Sequence, residues 1–308
     1  MLLEDKITEI YEQPILNLVG QARNIHQENF VDDIELCQLI SVKTGGCPED
    51  CAYCSQSNSN QSEIKINPLL PLEEVERVVL EAKTKGVKRV CMGAGYKSPT
   101  ASAISKVSQY IGIIKQNGLE ACATLGSLTM EQAVELKTAG LDYYNHNIDT
   151  SPEFYPEVIT TRTFQDRVDT IANVGMAGIK VCSGGILGMG ETRLDRISFI
   201  RALTNLPFVP QSIPINMLVK VPGTKLANVE SLDKFELIRV IATIRILFPQ
   251  TRIRLSAGRL ELTELEQAMC FMSGANSIFY GEKLLTTSNN NENSDTSLLA
   301  KLGMSHNG

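Results

Sequence analysis

Eight short apolar segments of strand type recur along this chain, separated for the most part by stretches whose apolar residues fall at helical spacing. The strand-type segments cover residues 37–44, 87–95, 119–126, 141–149, 179–188, 212–219, 251–258 and 275–281. Helix-type segments cover 71–86, 101–118, 129–140, 164–177, 192–205, 231–247 and 261–273, and several stop at a glycine, such as Gly86, Gly118 and Gly140. A glycine just past the last helical residue ends a helix cheaply, because it enters the left-handed region without a Cβ clash. Eight strand–helix units in about 250 residues match the count of a closed parallel barrel. An open doubly wound sheet is the alternative, but eight strands without a second composition regime favour closure. The expected class is α/β, a (β/α)8 TIM-type barrel with an N-terminal helical extension. One or two helices over 5–26, interrupted near Pro14, supply that extension. The expected layout is a helical cap over 1–36, the barrel over 37–288, and a loop with a short helix over 289–308, one domain overall. The Asn-rich run 287–297 reads as a flexible loop before the final helix.

The first strand-type segment runs directly into TGGCPEDCAYCSQS, residues 44–57. Cys47, Cys51 and Cys54 stand there in a C-x3-C-x2-C array, in a loop marked by Gly45, Gly46 and Pro48. Three thiolates within eight residues can converge on one metal centre. A closed structural zinc site or an ordinary four-iron cluster takes four protein ligands, so three leave one metal position open. A half-built zinc site would need a further Cys or His close by, and apart from the loop's own three none lies between residues 37 and 91. A disulfide would leave an odd thiol. Tyr53 places a flat apolar surface beside the last cysteine. In a parallel barrel, functional groups gather at the C-terminal ends of the strands, which is where this loop falls.

Charge excludes other classes. The 29 basic and 35 acidic residues leave a net charge of −6, unlike a general nucleic-acid binder. No apolar run reaches the ~18 residues a membrane span needs. The acidic N-terminal stretch reads as an amphipathic helix, not a targeting peptide. Eight cysteines without a secretory signal point to metal ligation in a reducing, cytoplasmic setting.

Three more cysteines lie on strand-type segments: Cys91 in RVCMGAG, Cys122 in LEACATLG and Cys182 in IKVCSGG. Side chains alternate along a strand, so Arg89, Glu120, Thr124 and Lys180 share the cysteines' parity. Polar residues stay inside a barrel only by binding something or one another. One buried cysteine is ordinarily a small hydrophobe; three at matching strand positions favour a second metal centre. A two-iron cluster takes four ligands, so one is missing again. Arg252 and Arg254 in RIRLSAGR share one parity, and alternation does not choose between them; arginine is in any case an unusual ligand because it is normally protonated. Asn145, Asn147 and Asp149 share a parity on the fourth strand, and Asn216 is the polar residue of the sixth. His146 reads as structural, and Met217, Met269 and Met272 read as core filling.

The loop motif resembles the signature of the radical S-adenosylmethionine superfamily, in which three cysteines hold a [4Fe–4S] cluster and S-adenosyl-L-methionine chelates the fourth iron. Over roughly residues 15–288 the chain is similar to the biotin synthase family. The stretches that carry the likeness are SVKTGGCPEDCAYCSQS, RVCMGAG, LEACATLG, LDYYNHNIDTSPEFY, GIKVCSGGILGMGET, INMLVKVPGT, RLSAGR and AMCFMSGANSIFYGEKLLTT. The resemblance implies a [4Fe–4S] cluster on Cys47, Cys51 and Cys54, and an auxiliary [2Fe–2S] cluster on Cys91, Cys122, Cys182 and Arg254. It assigns no role to Cys37 or Cys270, which read as core. It further implies cofactor contacts from Tyr53, Gly93, Gly95, Asn147, Asp149, Gly184, Ile186, Gly188 and Asn216. Substrate contacts would come from Asn147, Asn216, Thr286 and Thr287.

The implied reaction is sulfur insertion into dethiobiotin to give biotin. No side chain can abstract hydrogen from an unactivated carbon, so cofactors carry the hard step. On this resemblance, one electron cleaves S-adenosylmethionine to a 5′-deoxyadenosyl radical, which activates the substrate carbon, and the auxiliary cluster donates the sulfur. No side chain is expected as acid or base. The implied partners are a flavodoxin- or ferredoxin-type electron donor and iron–sulfur assembly or repair proteins, in a homodimer. A single-cluster radical enzyme and a zinc-binding scaffold are the competing readings.

Overall fold

The computed structural model describes residues 3–31 and 33–306. Pro14 divides the N-terminal extension into α1 (Leu3–Tyr11) and α2 (Ile15–Asn29). Leu18 and Ala22 of α2 bury against Ala242 of the later helix α9 (Lys234–Leu247), and the Tyr11 hydroxyl donates to Glu236 at 3.0 Å. The extension is therefore packed onto the barrel wall.

The barrel strands are β1 (Asp33–Lys43), β2 (Arg89–Ala94), β3 (Glu120–Thr124), β4 (Tyr143–Asn145), β5 (Lys180–Cys182) with β6 (Gly185–Leu187), β7 (Ser212–Met217), β8 (Arg252–Leu255) and β9 (Ser277–Phe279). Every neighbouring pair is parallel, and β9 returns to β1 with Glu35 opposite Ser277 and Cys37 opposite Phe279. The closed parallel barrel expected from the alternation is present. Its outer ring includes α3 (Leu72–Thr84), α4 (Ala101–Gln116), α5 (Met130–Thr138), a one-turn α6 (Tyr155–Val158), α7 (Phe164–Met176), α8 (Arg193–Thr204), α9 and α10 (Glu264–Met272). Gly86, Gly118, Gly140 and Gly178 follow their helices with positive φ, as helix-ending glycines do.

Three departures from the sequence reading have physical causes. The strand expected over 179–188 is two strands. Pro214 of β7, which lacks an N–H, faces the gap, and an added Cβ at Gly184 would lie 1.9 Å from the Pro214 carbonyl oxygen. The first strand begins at Asp33, ahead of residue 37, because Asp33 and Glu35 are buried against Arg252 and Arg89 rather than solvated. The run 287–297 is not a loop throughout: α11 (Glu292–Leu302) starts inside it. Asn291 caps that helix by accepting from the Ser294 N–H at 2.8 Å, and buried Asp295 accepts from Arg259 at 2.6 and 2.8 Å. Asn289 donates to the carbonyls of Phe279 and Gly281, both at 2.9 Å. Asn289, Asn291 and Asp295 of the run thus have structural partners. After α11, β10 (Ser305–His306) pairs parallel with the start of β1. Among the described residues no helix is long and apolar enough to cross a membrane.

Candidate active site

The cysteine loop leaves the C-terminal end of β1 through Gly45 and Gly46, both at positive φ. It is locked rather than free. Lys43 donates to the carbonyls of Gly45 and Gly95 at 2.5 and 2.9 Å, tying the loop to the end of β2. The Cys47 N–H bonds the Gln56 carbonyl at 3.0 Å, and Asn60 donates to the carbonyls of Cys51 and Cys54 at 3.0 and 2.8 Å. The acidic pair within the motif is also structural: Glu49 meets Arg162 at 3.0 Å, and Asp50 accepts from the Thr160 and Thr161 N–H groups at 2.9 and 3.2 Å. Cys47 and Cys51 are buried and Cys54 is half-buried. Burial raises all three thiols, with Cys51 pushed up to about 12. They stay protonated until a metal displaces the protons.

Cys54 and Tyr53 line a cavity of about 840 Å³, counted to its mouth, at the C-terminal end of the barrel. Asn147, Asp149, Ile186, Asn216, Thr286 and Thr287 line it too, so one space collects the loop and most residues expected at the cofactor and substrate. The glycines expected there are not among the lining residues, and each stands where a side chain would collide with a neighbour or where a turn needs positive φ. A Cβ at Gly93 would strike Leu285, and one at Gly95 would meet Gln56. Gly188, at φ 89°, makes the turn in which Glu191 accepts the N–H groups of Gly188 and Met189 at 2.8 and 2.7 Å. Met217 lines the cavity, and Met272 is exposed on α10 instead of filling the core. His146 is buried, stacked on Tyr144, with its Nε2 lacking a hydrogen-bond partner among the described residues.

Several polar lining residues are already fixed in place. Asn147 Oδ1 accepts the Gly184 N–H at 3.1 Å; Asn216 donates to the Gly185 carbonyl at 3.0 Å and accepts from the Ala257 N–H at 3.2 Å. Asp149, at φ 66°, is the one non-glycine residue with positive φ among those described. Its buried carboxylate accepts from the Tyr53 hydroxyl at 2.8 Å and from Arg167 at 2.5 Å. Arg167 also reaches the Tyr155 hydroxyl at 2.9 Å and the Asn147 carbonyl at 3.1 Å. Burial works against its charge, but Asp149 and the tyrosine oxygens keep it protonated. Sequence reasoning missed Arg167, although it interrupts the apolar face of α7 between Phe164 and Ile171. Arg167→Met should cost roughly 3 kcal/mol by leaving a buried carboxylate unpaired. Adding Asp149→Asn should recover part of that loss in thermal denaturation. Equal losses in the single and double variants would mean that this pair does not hold the cavity wall.

Directly beneath lies a second assembly. Cys91, Cys122 and Cys182 turn inward and share one buried cluster with Cys37 and Tyr143. Cys91 and Cys122 are opposite each other in register. Leu39 and Phe279 pack on this cluster and also line the cavity, so they separate the two compartments by a single layer. Arg254, not Arg252, reaches the thiols: its Nη2 donates to Cys37 Sγ at 3.0 Å, whereas Arg252 pairs with Asp33 at 3.2 Å. Below the thiols, Arg89 joins Glu35 at 3.2 Å and Glu120 at 2.8 Å and lies 3.5 Å from the Tyr143 ring centroid. Although burial opposes ionisation, Arg89, Arg254 and Arg252 hold the Glu35 carboxyl below its usual range.

No three His, Cys, Asp or Glu side chains among the described residues are gathered around a single-ion site. An iron–sulfur cluster is larger and distributes its ligands over several irons. The lower chamber fits such a group. It brings together four buried thiols, and its two buried guanidiniums outnumber the fully buried carboxylate of Glu35. Arg89 Nη1 is buried without a protein partner among the described residues, a donor left for an anionic guest.

Residues 41–203 match the Radical SAM superfamily, and residues 214–305 match the Biotin and Thiamin Synthesis associated domain. The chain is 53% identical to a biotin synthase of Thioalkalivibrio sulfidiphilus, across 97% of this chain and 88% of that one. It is 52% identical to a biotin synthase of Acidithiobacillus ferrooxidans, across 97% and 95% of the two chains. In fold alone it is similar to methylornithine synthase, at 19% identity and a TM-score of 0.84 over 99% of this chain and 94% of that one.

Proposed function

The chain belongs to the biotin synthase family of radical S-adenosylmethionine enzymes, and we propose that its two thiol assemblies divide the work of sulfur insertion into dethiobiotin. The observation that carries this division is the shared wall: Leu39 and Phe279 floor the cavity and roof the cysteine chamber. A substrate in the cavity lies between the loop and the sulfur source.

In this reading Cys47, Cys51 and Cys54 hold the [4Fe–4S] cluster, with one iron left for S-adenosyl-L-methionine. Cys91, Cys122 and Cys182 hold the [2Fe–2S] cluster, and the family likeness gives Arg254 the fourth position. When bound, these groups supply an electron at the loop and a sulfide at the chamber. The protein's part is placement and exclusion of water. Tyr53, Asn147, Asp149 and Ile186 are the contacts to S-adenosylmethionine nearest the loop. Gly93, Gly95, Gly184 and Gly188 act through the backbone that their missing side chains allow. Asn216, Thr286 and Thr287 offer polar contacts to the ring end of dethiobiotin, and Leu218, Val219, Val221 and Leu285 offer apolar wall to its chain. The N-terminal helices, barrel and C-terminal helix work as one unit. The enzyme acts in the cytoplasm as a homodimer, with a flavodoxin- or ferredoxin-type donor and iron–sulfur repair proteins.

Anaerobically reconstituted protein should hold about six irons per chain and turn dethiobiotin into biotin with reductant and S-adenosylmethionine. About four irons would indicate a single-cluster radical enzyme, and zinc alone a scaffold. Absence of biotin with both clusters present would sink the substrate assignment.

A further inference from the structure

The barrel wall is slit on one side of β1. That strand pairs with β2 as far as Lys43, but with β9 only as far as Cys37 among the described residues. Beyond β9 the chain turns away through Gly281, at φ 104°. Outside the slit is a second cleft of about 1250 Å³, counted to its mouth, where Lys85 and Lys283 stand beside Glu74, Glu282 and Glu292. Inside is the cavity of the candidate site. Leu39, Leu284 and Leu285 line both spaces, so a single layer of leucine side chains separates them.

Leu284 and Leu285 are carried on a short hairpin. Lys283 and Ser288 form an antiparallel bridge, and the Leu284 N–H bonds the Thr287 carbonyl at 2.9 Å. The Asn289 N–H bonds the Glu282 carbonyl at 2.8 Å, and the Ser55 and Thr286 hydroxyls lie 2.9 Å apart. Leu285 fills the space that a side chain on Gly93 would take. It thus reaches from the β9 side of β1 to β2 on the other side, and the hairpin is fastened at its base and its tip.

We infer that Leu285, backed by Leu284, is the end stop for the acid chain of dethiobiotin and sets the chain length that the enzyme accepts. The inference rests on the reading of the cavity as the dethiobiotin site, in which Leu285 walls the acid chain. A longer chain has to displace packed leucine, and an apolar pocket discriminates a single methylene by roughly 10- to 200-fold. Cutting Leu285 back to alanine joins cavity and cleft. A longer chain then threads the slit, and its carboxylate emerges in a cleft open to water and lined by Lys85 and Lys283, where its charge stays solvated.

The test is a competition between dethiobiotin and a homologue whose acid chain is longer by an ethylene unit. It uses the reconstituted full-length protein and its Leu285→Ala, Leu285→Met, Leu284→Ala and Val221→Ala variants. Mass spectrometry of the two sulfur-inserted products gives the ratio of kcat/KM values, which does not depend on how much protein carries both clusters. Leu285→Ala should move that ratio toward the longer acid by about 10-fold or more. Leu284→Ala should move it the same way, and the volume-conserving Leu285→Met should keep it. Val221 lines the cavity but not the cleft, so Val221→Ala should leave the ratio at its unsubstituted value. An unchanged ratio in Leu285→Ala, or an equal shift in Val221→Ala, overturns the end stop. Where Leu285→Ala fails to fold, the Leu284→Ala ratio decides by the same criterion. Failure of the unsubstituted protein to convert dethiobiotin would instead overturn the reading of the cavity.

Discussion

Replacing Cys54 with alanine should abolish S-adenosylmethionine cleavage while the barrel stays folded. Cys54 is the loop cysteine that lines the cavity, and it is half-buried, so its removal opens no large core void. The loop keeps its shape without the thiol, because Glu49 remains on Arg162, Asp50 on Thr160 and Thr161, and Lys43 on Gly45 and Gly95. On the proposed reading, what is lost is one of the three cluster ligands, and groups that act as a unit fail together. The expected drop in 5′-deoxyadenosine formation is about 1,000-fold or more. The measurement is anaerobic cleavage followed by chromatography, beside thermal denaturation of the unreconstituted proteins. Substantial cleavage by the Cys54→Ala protein would remove the loop from the chemistry.

On the proposed reading, Cys91→Ala should separate the two halves of the reaction. Cys91 is in the lower chamber, under Leu39 and Phe279, and is not among the residues lining the cavity. The variant should lose about two irons of about six and keep the other four. It should still release 5′-deoxyadenosine when reduced, yet form no biotin. Counting both products in one reaction gives the coupling directly. Full biotin formation by this variant would exclude the chamber as the sulfur source. Together the two variants distinguish a lost trigger from a lost sulfur supply, which a single activity assay cannot do.

Much of this arrangement is legible in the sequence because it depends on local rules. Helix-ending glycines and alternating segments announce the barrel, and the close spacing of Cys47, Cys51 and Cys54 announces the loop. The less legible parts depend on partners distant in sequence. Asp33 and Glu35 look like solvated polar residues until Arg252 and Arg89 arrive from other strands, and with the first strand begun too late, Cys37 falls at its edge. Parity leaves Arg252 and Arg254 equivalent; their neighbours on β1, Asp33 for one and Cys37 for the other, separate them. The break between β5 and β6 is written in Pro214, thirty residues away from Gly184. The Asn-rich tail looks disordered by composition, but Arg259 and the carbonyls of Phe279 and Gly281 give its side chains fixed partners.

The layer of Arg89, Glu35, Glu120 and Tyr143 beneath the thiols has a consequence for traffic. It plugs the N-terminal end of the barrel, while the opposite end opens into the cavity. A chamber stoppered below has one doorway. On the proposed reading of that chamber as the sulfur source, it is refilled by the route along which product departs, so departure and replenishment queue, with biotin gone before fresh iron and sulfide enter.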